Sequence, residues 1–316
     1  MVCESARRYN AQSVALIPGS GTYAMEACAW AFGYEKKAVI IRNGYFSFRW
    51  SDINATCRIF ESETVLKARP AEGSPSEGNR QFVPCPVDEV VATIKAERPA
   101  VVFAPHVETA TGILLPQDYI TAVGAAAREV GAIFVLDGIA AGNVWIDMEA
   151  CNVDAYISAP QKGWSGPACC GLVMLTARGR EAADASAGNR SSFSCNLPKW
   201  LTVMDKYDAG AFMYYTTLPT DALMTFRDVI KELEAFGVDA SKAAMLDLGA
   251  KVRAELAKRG FMSAAADGFG SPGVVVVFSD LAGAVGLFKG EGIQIAGGVR
   301  CVVVAPGDSC GCCLVV

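Results

Sequence analysis

The chain has 316 residues, of which 52% are hydrophobic and 19% charged, with a net charge of −5; this make-up is that of a well-packed globular protein and excludes a disordered or fibrous one. No segment concentrates Lys and Arg on one face, which excludes a nucleic-acid footprint. The longest purely apolar runs, such as 274–278, are far too short to cross a bilayer. The opening "MVCESARRYN" lacks the apolar core of a secretory signal, so the twelve cysteines are expected reduced, in an intracellular compartment and most simply the cytoplasm.

Strands rich in Val, Ile and Phe alternate with Ala-rich helical stretches. The first predicted strand, 13–17 (SVALI), runs into the glycine-rich turn "IPGSGTYAMEA" and a helix over 23–32. Backbone N–H groups at that helix start, beside the hydroxyls of Ser20 and Thr22, suit a phosphate; an ordinary tight turn is the plain alternative. The same letters fit the dinucleotide fingerprint through Gly19, Gly21 and Ala24. That reading needs an acid at the end of the next strand, and 38–42 (AVIIR) ends in Arg42 and Asn43 instead, so a nicotinamide cofactor is the weaker choice.

An exposed loop (68–81), a helix (87–97) and a strand (100–104) come next, then His106, a helix over 117–130 and the strand 132–136, which closes on Asp137. The strand 154–158 leads to Gln161 and Lys162, and another spans 170–175. A helix over 220–236, a further helical stretch and "GVVVVFSD" suggest a smaller α+β unit. The expected architecture is α/β, a mostly parallel sheet covered by helices, with a large domain over 1–222 and a small one over 223–316. Ligands in such sheets gather at the carboxyl ends of the strands, where the chemistry-bearing residues cluster here.

A single histidine excludes two-histidine metal sites and leaves any hydrolytic triad dependent on His106. Cys310, Cys312 and Cys313 have no second thiolate pair elsewhere, so no metal site is expected. Asp137 ends an apolar strand, where a carboxylate wants a partner such as a protonated ring nitrogen; a turn or cap aspartate is the plain alternative. Lys162 lies among Pro160, Gly163, Trp164, Gly166 and Pro167, an apolar setting expected to destabilise its ammonium and free the amine for imine formation, where a surface lysine is the default. A phosphate cradle, a strand-end Asp and a downstream Lys are the parts of a pyridoxal 5′-phosphate enzyme, in which the Lys forms a Schiff base and the Asp partners the pyridinium nitrogen.

The segments "GSGTYAMEA", "NGYFSFR", "HVETATGILLP", "FVLDGIAAG", "ISAPQKGW" and "YYTTLPTDAL" stand in the order and rough spacing of the class V aminotransferases of fold type I. From about residue 12 to 298 the chain resembles the branch holding the alanine–glyoxylate, serine–glyoxylate and 2-aminoethylphosphonate–pyruvate transaminases. The resemblance implies a phosphate held by Ser20, Gly21, Thr22 and Gln161, a ring stacked on Phe46, and Thr109 on the ring-hydroxyl side. It implies Asp137 on the ring nitrogen, Lys162 as the cofactor-linked amine, and Tyr214 and Thr217 reaching the phosphate of a neighbouring subunit in a homodimer. His106 is read as structural.

The implied reaction moves an amino group from a small amino acid or aminophosphonate donor (alanine, serine or 2-aminoethylphosphonate) to a 2-oxo acid acceptor, glyoxylate or pyruvate. A lyase or desulfurase, and a cofactor-binding paralogue without turnover, stand beside it. Against the family pattern the chain lacks a glycine- and proline-rich N-terminal segment. "RCVVVAPGDSCGCCLVV" replaces the segment that carries a carboxylate-binding arginine, with Arg300 out of position, so both ends are expected to be truncated or altered.

Overall fold

The computed structural model describes residues 8–74, 78–279, 283–297 and 312–315, the last as backbone. Along the chain run β1 (Ser13–Pro18), α1 (Gly21–Gly33), β2 (Lys37–Arg42), α2 (Tyr45–Cys57), β3 (Ser62–Lys67), the short β4 (Arg69–Pro70) and β5 (Phe82–Val83), and α3 (Val87–Glu97). Then come β6 (Val101–Pro105), the short β7 (Val107–Glu108) and β8 (Ile113–Leu114), α4 (Gln117–Val130), β9 (Ile133–Asp137), β10 (Ala155–Ser158) and β11 (Cys170–Leu175). The remainder comprises α5 (Ala177–Ala185), α6 (Leu197–Asp208), α7 (Thr220–Phe236), α8 (Val238–Lys258), β12 (Val276–Ser279), α9 (Ala284–Gly290), β13 (Ala296–Gly297) and β14 (Cys312–Val315).

Seven strands form the main sheet in the order β1-β11-β10-β9-β6-β2-β3. Neighbours run parallel except at β11, which is antiparallel to both β1 and β10. Every residue of β6, β9 and β11 is buried, because helices cover both faces of a parallel sheet and its strands must be apolar on both sides. Trp50 of α2 stacks on Phe103 of β6 with ring centroids 4.0 Å apart, fixing that helix to the sheet.

The six expected strands and four expected helices are all present, with α1 starting at Gly21 rather than residue 23. The sequence reading passed over β3, α2, α5 and α6. Toward the C-terminus α7 runs through positions 222–223 and buries Leu223, Phe226 and Ile230 in the main core. Beyond it, β12, β14 and β13 form a second sheet. Val275, Val277, Ala284 and Ile295 make a separate apolar cluster, against which Val252 and Leu256 of α8 pack.

Arg300 and Cys310 lie outside the described residues, while Cys312 and Cys313 fall in β14. No described helix is long and apolar enough to cross a membrane.

Candidate active site

The carboxyl ends of the parallel strands and the turn after β1 open into one pocket, as the sheet topology requires. Ser20, Gly21, Thr22, Phe46, Thr109, Asp137, Gln161 and Lys162 all line it. These are eight of the ten residues singled out from sequence; Tyr214 and Thr217 are exposed and stand outside it.

One end of the pocket is the start of α1. Ser20 caps this helix without a side-chain hydrogen bond, and no acidic residue occupies the first turn. The freed N–H groups and the dipole therefore face the pocket uncompensated. Gly19 makes the turn possible: its φ is +122°, and a Cβ there would sit 1.9 Å from the Tyr23 ring. Arg49, which the sequence reading did not single out, also lines the pocket. Its Nη1 donates to Thr22 Oγ1 at 3.0 Å, and its Cζ lies 5.1 Å from the centre of the Phe46 ring. The three-residue spacing from Phe46 to Arg49 puts both on one face of α2, a signal available from the sequence once that helix is known.

A second unforeseen residue, Glu108, builds the aromatic wall. Its buried carboxylate accepts from the N–H groups of Phe46 (3.1 Å), Ser47 (2.9 Å) and Ala110 (3.1 Å) and from Ser47 Oγ (2.7 Å). It thus caps α2 from the loop that carries Thr109. Thr111 Oγ1 adds a hydrogen bond to the Asn43 carbonyl at 3.1 Å. Gly44 leaves room for this clamp, since a Cβ there would lie 2.7 Å from Glu108 Cγ.

Asp137 forms the pocket floor at the end of β9, with one carboxylate oxygen accepting from Ile139 N–H at 3.0 Å. Burial pushes its carboxyl up to about 7; the Ile139 N–H opposes this, the Glu108 charge adds to it and the Arg49 charge opposes it. Behind it His106 is buried, with Nδ1 3.0 Å from Tyr156 Oη. Burial, assisted by the Lys242 charge, holds that imidazole down to about 4.

These two groups tilt stability in opposite directions. Between the ordinary aspartate value of 3.8 and about 7, folded Asp137 keeps a proton that the unfolded chain has released, so its contribution falls as pH rises. Between about 4 and 6.5 the unfolded histidine holds a proton that folded His106 lacks, so its contribution rises with pH. In cofactor-free protein, Asp137→Asn is therefore expected to make the urea midpoint climb more steeply from pH 4 to 6.5 than in wild type. Superimposable pH profiles would refute this account of Asp137.

Lys162 follows β10 and is exposed, which corrects the expectation of an apolar, buried setting. The small neighbours Gly163 and Ser165 have too little bulk to cover it, and it opens onto a second cleft bordered by Asn143, Met245 and Val274. Beside it, Gln161 Oε1 is buried without a hydrogen-bond partner. As an acceptor, that oxygen calls for an N–H or O–H donor, while the Nε2 of the same amide is the atom able to donate to an anion in the pocket.

Residues 78–307, more than two thirds of the chain, match the family model described as aminotransferase class-V. The chain belongs to the class V aminotransferase family. Alanine–glyoxylate aminotransferase 1 of Saccharomyces cerevisiae is 23% identical to this class V chain over 227 residues, covering 69% of it and 55% of the yeast protein. The L-aspartate–glyoxylate aminotransferase of Paracoccus denitrificans is 28% identical over 183 residues, 57% of this chain and 43% of that protein. The chain thus spans about half the length of these curated relatives. The crystal structure of an alanine–glyoxylate aminotransferase from Nostoc sp. superposes with a TM-score of 0.78 at 20% identity, covering 98% of this chain and 78% of that one. That likeness fixes the fold as fold type I.

Class V aminotransferases work with pyridoxal 5′-phosphate, and the pocket fits that group. The uncapped start of α1 suits its phosphate, the buried Asp137 carboxyl suits a protonated ring nitrogen, and the Lys162 amine suits its aldehyde.

Proposed function

We propose that this chain is a pyridoxal phosphate-dependent transaminase that moves an amino group from a small amino acid or aminophosphonate to glyoxylate or pyruvate. The observation that carries this reading is the pocket itself, which joins an uncapped helix N-terminus, a buried carboxyl and an amine. The relatives' names support the acceptor, since alanine, aspartate and serine vary as donors while glyoxylate recurs. Alanine, serine and 2-aminoethylphosphonate are the donors we favour.

When bound, pyridoxal phosphate supplies an aldehyde that condenses with amines and a ring that draws electrons from the substrate's α-carbon. The protein's part is to place that group and move protons around it. Ser20, Gly21, Thr22 and Gln161 hold the phosphate, Phe46 covers one face of the ring, and Thr109 offers its hydroxyl to the ring-hydroxyl side. Asp137 keeps a proton on the ring nitrogen by pairing its carboxylate with the N–H. Lys162 Nζ would take the proton from the donor's α-carbon and, in the return half-reaction, deliver one to the α-carbon of the 2-oxo acid acceptor. Tyr214 and Thr217 lie on a surface with exposed aromatics, Phe212 at 77% and Tyr214 at 65% exposure. We assign that surface to a homodimer contact in which they reach the partner's phosphate.

Mixing the purified chain with pyridoxal phosphate is expected to give a yellow protein. Its visible absorbance should shift on adding alanine, serine or 2-aminoethylphosphonate and return on adding glyoxylate. A protein that stays colourless, or a colour unmoved by every donor, would reject transamination.

A further inference from the structure

We propose that Arg49 supplies the counter-charge for the cofactor's phosphate, an inference that rests on the pyridoxal phosphate reading above. A phosphate monoester carries between about −1.5 and −2 charges near neutral pH. The side chains assigned to hold it, those of Ser20, Thr22 and Gln161, are all neutral. Among the described residues two cations line the pocket, Arg49 and Lys162, and the Lys162 amine is committed to chemistry at the aldehyde. Among the described residues, Arg49 is thus the remaining group able to balance the charge from within this chain's own pocket.

Its geometry agrees. Among the described residues no carboxylate lies within ion-pair distance of its guanidinium. A guanidinium presents five N–H donors. Among the described residues its hydrogen bond goes to Thr22 Oγ1, one residue into α1, so its position is at the anion-binding end of that helix. It stands one turn beyond Phe46 on a helix whose start Glu108 clamps. A half-buried cation without an acid, at a helix start without an acid, is a site for an oxyanion. An alternative role is a strut that merely ties Thr22 to Phe46.

The test compares pyridoxal phosphate with pyridoxal, which lacks only the phosphate, binding to the full chain by tryptophan fluorescence quenching. Arg49→Gln is expected to raise the dissociation constant for pyridoxal phosphate about ten- to hundredfold and leave that for pyridoxal within about twofold. Arg49→Lys should recover part of the loss, and inorganic phosphate should compete with pyridoxal phosphate more weakly in Arg49→Gln than in wild type. Equal weakening of both aldehydes, or no change in either, would overturn the proposal in favour of a strut. Unchanged cofactor affinity with a raised KM for the 2-oxo acid would overturn it in favour of the substrate carboxylate. Failure of the wild type to bind pyridoxal phosphate at all would instead defeat the cofactor reading on which it stands.

Discussion

Lys162→Ala is expected to give a folded protein that turns over roughly 10²–10⁴-fold more slowly, the usual range for loss of a positioned proton carrier. Two features make the fold indifferent to this change. The side chain is exposed, and the hydrogen bonds of residue 162, from its N–H to the Ala159 carbonyl (3.3 Å) and from Ser165 N–H to its own carbonyl (3.0 Å), are backbone bonds that alanine keeps. Stability should therefore move by no more than about 0.5 kcal/mol. Steady-state rates with the best donor, and visible spectra of the same sample, read the loss directly. A small amine such as ethylamine, added at high concentration, should restore part of the rate because the defect is a missing amine rather than a distorted pocket. Wild-type turnover in this variant would remove Lys162 from the mechanism.

Glu108→Ala is expected to act in the opposite way, through the fold first. The carboxylate is fully buried and accepts four hydrogen bonds, three from backbone N–H groups. Truncation leaves those donors without a partner in a space that water does not readily fill. A loss of about 3–5 kcal/mol follows, the range seen when one partner is deleted from a buried charged network. Glu108→Gln keeps the shape but turns an NH₂ toward N–H donors, so it should fall between alanine and wild type. Urea unfolding of the cofactor-free protein measures both. The stability change should come with weaker pyridoxal phosphate binding, because α2 carries Phe46 and Arg49 into the pocket. An alanine variant as stable as wild type would mean that α2 does not depend on this cap.

The contrast between these two residues shows what was legible in the sequence. Lys162 and Asp137 follow apolar strands, and strand ends are readable because Val, Ile and Phe runs mark them. Glu108 lies inside a quoted motif, yet its partners Phe46 and Ser47 are 62 and 61 residues away, beyond any local pattern. The same distance hid α2. "YFSFRWSDINATC" is rich in aromatics and has no acid in its first turn, so its start is specified by a carboxylate from another loop. Without α2, Arg49 had no face to share with Phe46. β3 was passed over for a different reason: it is an edge strand with Glu63 and Lys67 interrupting a short apolar stretch, which weakens the strand signal. The expectation about Lys162 fails because its small neighbours leave the side chain open rather than covering it.

The place of β1 at the margin of the main sheet has a consequence for how the protein is made. Its sheet partner is β11, and Ser13 pairs with Leu175, 162 residues later. At a translation rate of about 5–20 residues per second, roughly 10–30 seconds separate synthesis of the two strands. For that interval the turn that follows β1 has no strand to anchor it, and the four apolar residues Val14, Ala15, Leu16 and Ile17 must wait unpaired beside the nascent chain. The anion cradle is thus among the last parts of the sheet to assemble, so capture of the cofactor's phosphate should report completion of folding rather than guide its early steps.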